Sequence, residues 1–85
     1  MPTILSTNGM RVVVYPADHR PAHVHVLGAG YEVVFVLNCP EGPMELRNVG
    51  GGNVTKMKIE KIRRSLAPRL LDLCDGWRKH HGDYH

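Results

Sequence analysis

Hydrophobic and polar positions alternate along the first third of the chain in the manner of short β-strands separated by turns. Segments 3–6 and 10–15 are rich in β-branched residues and flank Asn8-Gly9, a pair that tolerates the positive φ angles of a tight hairpin turn. Pro16 ends the second segment because proline cannot donate a hydrogen bond to a neighbouring strand. This part of the chain therefore predicts a β-hairpin.

Segment 22–27 alternates strictly and predicts a third strand. Because side chains of a strand point alternately to its two faces, His23 and His25 share one face and Val24 and Val26 share the other. Two further strands are predicted downstream. Segment 31–37 is almost continuously apolar, as in a strand covered on both faces, and Glu32 within it lies within reach of the histidine strand.

Two shorter segments follow before the pattern becomes helical. Residues 44–47 predict a short edge strand, and the glycine run 50–52 predicts a hinge or tight turn. No phosphate-binding G-x-x-x-x-G-K-[ST] motif surrounds these glycines. We therefore expect a linker between the strands and the helical part.

The C-terminal part carries one apolar stripe at helical spacing. The stripe consists of Ile59, Ile62, Leu66, Leu70, Leu73 and Trp77. Pro68 lies within it and prevents a regular helix there, so the pattern predicts two helical segments, roughly 54–66 and 68–80, or one kinked helix. Asn53 or Thr55 would cap the first segment through its side-chain oxygen.

The order of these elements predicts an α+β fold. One domain over residues 1–85 would contain an antiparallel sheet of four or five strands, built from β-hairpins, in residues 1–48. A C-terminal helix or helix pair in residues 53–81 would pack on one face of that sheet. A chain of 85 residues is close to the lower limit for a domain that folds alone, so its core is expected to be thin.

The net charge of +3 is distributed unevenly. Residues 1–46 hold two Lys or Arg against four Asp or Glu, residues 47–80 hold nine against three, and Asp83 carries one further negative charge. A basic C-terminal half is typical of a surface that attracts phosphate or an acidic partner, and equally of a solvated helix face. The basic residues of the predicted first helical segment are Lys56, Lys58, Lys61, Arg63 and Arg64.

The cysteines and the hydropathy of the chain indicate the cellular compartment in which the protein is expected. The chain start lacks the features of a signal peptide, and no segment reaches the roughly 20 apolar residues of a membrane span. Cys39 and Cys74 do not form a CxxC motif. We therefore expect a cytoplasmic protein without membrane contact, in which both thiols are free.

Chemistry is concentrated in segment 18–26, where three histidines fall within seven residues. His23 and His25 would lie about 6.5–7 Å apart on one strand face. His19 lies across the Pro21 bend and would close a third side. A site here predicts at least two partly exposed imidazoles within about 7 Å of each other.

Three interpretations of these histidines stay open. They could be structural, hydrogen-bonded to backbone or to Glu32. They could bind phosphate or nucleic acid, or transfer protons in RNA cleavage. The guanidinium group of Arg20 could then donate two hydrogen bonds to a phosphate. They could also bind zinc through His19, His23 and His25, although no carboxylate other than the nearby Asp18 suggests itself as a further ligand.

The chain resembles a bacterial family of small proteins known as domain of unknown function 4160. The resemblance rests on Met1-Pro2-Thr3, Gly9, Trp77 and above all the segment Asp18-His19-x-Pro21-x-His23-Val24-His25-Val26. Ala22 stands where the family usually has a second proline. The family has no established activity. Its genes often lie beside those of another small family, in an arrangement similar to toxin–antitoxin pairs, which implies a small partner protein from an adjacent gene.

The leading hypothesis is a toxin-like or nucleic-acid- and phosphate-binding member of a two-protein module. As an enzyme it would be a metal-independent ribonuclease, with His23 and His25 as catalytic acid and base. His19, Arg20 and the basic residues Lys56, Lys61 and Arg64 would bind phosphate. The alternatives are a structural or interaction module without catalysis, and a histidine-based metal-binding protein. No cofactor is expected, except zinc in the last case.

Overall fold

Five strands form one antiparallel sheet in the order in which they occur along the chain. The computed structural model describes residues 3–7, 9–52 and 54–82. The strands are β1 (Thr3–Thr7), β2 (Met10–Val13), β3 (His23–Gly28), β4 (Tyr31–Val36) and β5 (Glu45–Gly51). β1 and β2 pair as the predicted hairpin, although Asn8 of its turn lies outside the described residues. The helices follow the sheet, so the predicted α+β class is confirmed.

The helical part consists of two helices joined by a single 3₁₀ turn. Helix α1 spans Lys56–Leu66, the 3₁₀ turn spans Ala67–Arg69, and helix α2 spans Leu70–His81. Pro68 lies in the turn, where its missing amide hydrogen interrupts no α-helical ladder. The side chain of Thr55 accepts a hydrogen bond of 3.1 Å from the amide of Lys58 and caps α1. Asn53, the other predicted cap, lies outside the described residues, as do residues 83–85. No helix in the described part of the chain is long and apolar enough to cross a membrane.

The hydrophobic core lies between the helices and one face of the sheet. Val24 and Val26 pair with Phe35 and Val33 in the sheet, and all four side chains are fully buried members of this core. Ile62, Leu66, Leu73, Cys74 and Trp77 supply the helical side of the core. The predicted apolar stripe is therefore confirmed, with Ile59 and Leu70 only partly buried at its margin.

The predicted linker is wrong for Gly50 and Gly51, because β5 continues through both residues. They pair with Glu32 and Tyr31 of β4. Gly51 has a φ of +85°, and a side chain there would place its Cβ 2.5 Å from the carbonyl oxygen of Gly30. The glycine at position 51 therefore lets β5 approach the β3–β4 turn closely, where a side chain would collide.

The prediction that both thiols are free is also wrong. Cys39, just after β4, forms a disulfide with Cys74 in α2, and their Cα atoms lie 5.9 Å apart. The two residues are 35 positions apart in sequence, so their proximity arises only when α2 packs on the sheet. Both are buried and belong to the core. The disulfide thus joins the helical layer covalently to the sheet layer.

Candidate functional site

Two histidines of β3 and one aspartate of the preceding loop converge on a single point. Nε2 of His25 lies 3.1 and 3.2 Å from the two carboxylate oxygens of Asp18. Nε2 of His23 lies 3.5 Å from Oδ1 of the same carboxylate. One ligand atom from each of the three residues lies within 4.8 Å of the other two. We refer to Asp18, His23 and His25 as the His-Asp cluster.

Asp18 is held in place by the backbone of Tyr15. The amide of Tyr15 donates to Oδ2 of Asp18 at 2.9 Å, and the amide of Asp18 donates back to the carbonyl of Tyr15 at 3.0 Å. Aspartate side chains can form such local hydrogen bonds with the backbone three residues before them, here within the turn Tyr15-Pro16-Ala17-Asp18. The turn folds the loop between β2 and β3 back toward the histidine strand.

Opposing effects act on the carboxylate of Asp18. Burial favours a higher pKa. The hydrogen bond from the Tyr15 amide, the hydrogen bond from His25 and the charges of His25 and His23 favour a lower one. These interactions outweigh burial, so the pKa of Asp18 lies below its usual value of 3.8. Asp18 is therefore an anion at neutral pH.

Each histidine of the cluster is oriented by an acceptor on its other ring nitrogen. Nδ1 of His23 lies 2.8 Å from the carbonyl oxygen of Pro21, and Nδ1 of His25 lies 2.7 Å from Oε2 of Glu32. A carbonyl can only accept, and an ionised carboxylate likewise accepts. Both Nδ1 atoms must therefore donate. In a neutral ring the lone pair then lies on Nε2 and faces Asp18, whereas a protonated ring donates a hydrogen bond from Nε2 to Asp18. The predicted reach of Glu32 is confirmed.

The cluster is mostly shielded from solvent. The side chains of His23, His25 and Asp18 are only 7%, 14% and 12% exposed. The strand neighbours of His25, Val13 and Val34, are buried, although they lie outside the helix-covered core. The predicted short distance between the imidazoles is confirmed, since the ring centroids of His23 and His25 lie 5.2 Å apart. The predicted partial exposure does not hold for His23.

Aromatic rings flank the cluster on both sides. The ring centroid of Tyr15 lies 4.6 Å from that of His25, and the centroid of Trp77 lies 5.1 Å from that of His23. Trp77 also stacks on His81 at 4.1 Å, and Nε2 of His81 donates to the carbonyl of Tyr15 at 3.1 Å. Helix α2 thereby contacts both the histidine strand and the loop that carries Asp18.

Other residues predicted for this site lie elsewhere. His19 and Arg20 are exposed on the loop, and His19 does not belong to the His-Asp cluster. Sequence reasoning placed His19 in the position that Asp18 occupies. The sequence carries no comparable signal for Asp18, because its position depends on how the turn at Tyr15 folds back toward β3.

The basic residues of α1 form a separate surface. Lys56, Lys61 and Arg64 are exposed. Lys61 lines a shallow cavity of about 260 Å³ together with Lys58 and Met10. Met10 begins β2, whereas His25 pairs with Val13 at its other end, about 10 Å along the strand. Lys61 therefore lies near the end of β2 that is opposite to the histidines.

The geometry of the cluster limits what it can bind. Two imidazole lone pairs and a carboxylate face one another, so a proton or a metal cation between them stabilises the arrangement. A phosphate at the same point would be repelled by Asp18 and by Glu32 behind His25. The arrangement suits a cation better than an anion.

Comparison with known proteins gives one match. The model of a family described as a domain of unknown function, DUF4160, matches residues 9–84. This range contains the whole His-Asp cluster and Trp77, and the predicted resemblance is confirmed. No curated protein and no solved structure matches the chain.

Proposed function

The chain belongs to the DUF4160 family, and we propose that it binds a divalent transition-metal ion between Asp18, His23 and His25. The observation that carries this proposal is the pairing of both Nδ1 atoms with acceptors. Histidines that bind metals through Nε2 almost always donate their other N–H to a carbonyl or a carboxylate. Pro21 and Glu32 provide one acceptor of each kind.

The distances within the cluster support an ion of this size. Ligand atoms about 2.1 Å from a tetrahedral zinc ion lie about 3.4 Å from one another. The shortest distance between the Asp18 carboxylate and Nε2 of each histidine, 3.1 Å for His25 and 3.5 Å for His23, is close to this spacing. Small side-chain movements would therefore be enough for all three residues to bind one ion.

The ligand types narrow the choice of metal. Two imidazoles and one carboxylate suit zinc, iron, cobalt or nickel better than magnesium or calcium, which prefer oxygen ligands throughout. Three protein ligands are typical of sites that keep one position for water or substrate, where the metal acts as a Lewis acid. Asp18 would supply the negative charge and the two histidines the directional nitrogen ligands.

We expect the protein to bind one equivalent of Co²⁺ or Zn²⁺, and Asp18→Asn to weaken binding by more than about 100-fold. This exceeds the loss of about 10–100-fold that is typical for an outer partner, which we expect for Glu32→Gln. Affinity should also fall as the pH is lowered, since protons compete with the metal ion for Nε2. Quenching of Trp77, the single tryptophan, by Co²⁺ and NMR of the histidine ring protons would measure binding.

The other histidines require a control, because His80, His81 and His85 near the C-terminus could bind metal adventitiously. His80 is exposed on α2, so His80→Ala should leave the tight site unchanged. Uptake that survives Asp18→Asn and His25→Ala but is lost in His80→Ala would refute the proposal. So would ring protons of His23 and His25 that do not respond to the metal.

Nucleic-acid binding is a second candidate, favoured by the exposed face of α1. Lys58, Lys61 and Arg64 follow one another at i, i+3 spacing, about 5–6 Å apart. Only Arg64 of these three lies near a carboxylate among the described residues, at 3.8 Å from Glu60. A row of cations at this spacing supports contacts to successive phosphates. In this case the toxin-like role and the partner from an adjacent gene would involve α1 rather than the histidines.

If α1 binds nucleic acid, affinity for a short RNA should fall steeply with salt. For a single-stranded RNA, Lys61→Glu with Arg64→Glu should weaken binding and reduce the slope of log K against log salt by about 0.7 per lost phosphate contact. The matched control is Arg78→Glu with Lys79→Glu on α2, which changes the net charge equally at exposed positions. Equal weakening by both pairs, or no binding at low salt, would argue against a site on α1.

A further inference from the structure

Strand β5 has a free edge. It is the last strand of the sheet in the described part of the chain, and it pairs only with β4 there. Six of its seven residues are exposed, and Gly50 is half-buried. An exposed edge of this length presents a row of backbone donors and acceptors to another strand.

The side chains of β5 continue the hydrophobic core to this edge. Leu46 and Val49 pair with Phe35 and Val33, both of which are fully buried in the core. Two residues separate Leu46 from Val49, so regular alternation would put these two side chains on opposite faces. A register shift in β5 instead keeps Leu46 and Val49 on the core side. They remain 50% and 39% exposed because the helices leave this edge uncovered. The sheet thus ends in an apolar margin.

A groove of about 470 Å³ runs between this margin and α1. Met44, Leu46 and Ile59 provide its apolar lining. The volume suits a few side chains of one added strand, although it is small for a helix. The groove and the free edge therefore fit the same kind of occupant, an extended segment.

The charges around the groove indicate which kind of extended segment would bind there. Two acidic and two basic residues line it together. Glu60 and Arg63 form an ion pair with each other, so Glu45 and Lys56 are the two opposite charges that the groove offers to a partner. A polyanion such as nucleic acid would meet the carboxylates, and a strongly acidic or basic peptide would meet like charges. When the same surface of a second copy is rotated by 180°, the acidic residues of each copy can face the basic residues of the other. The surface is therefore complementary to itself.

We propose that β5 pairs antiparallel with β5 of a second copy of this chain about a two-fold axis. Leu46 of one copy would lie opposite Val49 of the other, so that the apolar margins meet on the core side. In this register Glu45, the one acidic residue of β5, lies opposite Gly50 and does not face Glu45 of the other copy. The two sheets would join into one of ten strands, and the two α1 helices would lie on the same face.

Molar mass in solution tests this interface. Light scattering on a size-exclusion column should give twice the chain mass of 9.5 kDa for the wild type. Leu46→Lys and Val49→Lys should each restore the single-chain mass, because a lysine at an edge opposes strand pairing. Met57→Lys and Leu71→Lys are matched controls at apolar positions that are 83% and 69% exposed on the helices, and they should stay dimeric.

A wild-type monomer at high concentration would overturn the proposal. A dimer that survives both β5 variants, or one that is lost in a helix control, would also overturn it, because the contact would lie elsewhere. If a β5 variant unfolds, hydrogen exchange of the wild type decides. Protection of β5 amides that rises with concentration supports the interface, and protection that does not change with concentration contradicts it.

Discussion

Replacing Trp77 with alanine should lower the free energy of unfolding by about 3–5 kcal/mol. Trp77 is fully buried and belongs to the core between α2 and the sheet. The substitution removes the largest buried side chain together with its contacts to His23 and His81. Because a domain of this size has a total stability of about 4–13 kcal/mol, the loss could leave the protein largely unfolded.

Urea denaturation followed by far-UV circular dichroism would measure this loss, since the variant has no tryptophan fluorescence. Trp77→Phe keeps part of the buried volume and should lose less stability. Leu71→Ala on the same helix, where Leu71 is 69% exposed, should change stability very little. A loss for Trp77→Ala no larger than that for Leu71→Ala would mean that α2 does not pack on the sheet through this residue.

Removing the disulfide is the second change with a large expected effect. Cys39 and Cys74 close a loop with a sequence separation of 35 residues. A cross-link over this separation stabilises a fold by about 4 kcal/mol, mainly by restricting the unfolded chain. We expect this loss in the Cys39→Ala, Cys74→Ala double variant, apart from any effect of the smaller side chains in the core.

The wild type in a reducing agent provides an independent measurement of the same effect. Its urea midpoint should fall toward that of the double variant, whereas the double variant should not respond to the reducing agent. Because both cysteines are buried, reduction should require time or partial unfolding. Equal midpoints for the oxidised and fully reduced wild type would show that the disulfide contributes nothing to stability.

The fold was largely predictable because its signals are local. Strict alternation at Val24 and Val26 is enough to define the buried face of β3, and the spacing of Leu66, Leu73 and Trp77 does the same for the helices. Pro68 marks the break between the helices because its effect on the backbone is local too. Each of these residues is interpretable from its immediate neighbours.

The candidate site was predictable only in part because it depends on tertiary proximity. His23 and His25 follow from alternation, but the choice of Asp18 over His19 depends on how the turn at Tyr15 folds back. The disulfide depends on tertiary proximity even more strongly. Nothing within a few residues of Cys39 indicates Cys74, which reaches it only through the packing of α2.

The glycine run at positions 50–52 has a consequence for how relatives of this chain can diverge. Gly51 combines a φ of +85° with a close approach to Gly30, whereas a Cβ at Gly50 or Gly52 would meet no atom within 4 Å. Of these three consecutive glycines, the middle one is therefore required by the backbone conformation, whereas the positions on either side have room for a side chain. Homologous sequences that keep this fold are free to lose the appearance of a glycine-rich motif, provided that they retain the middle residue.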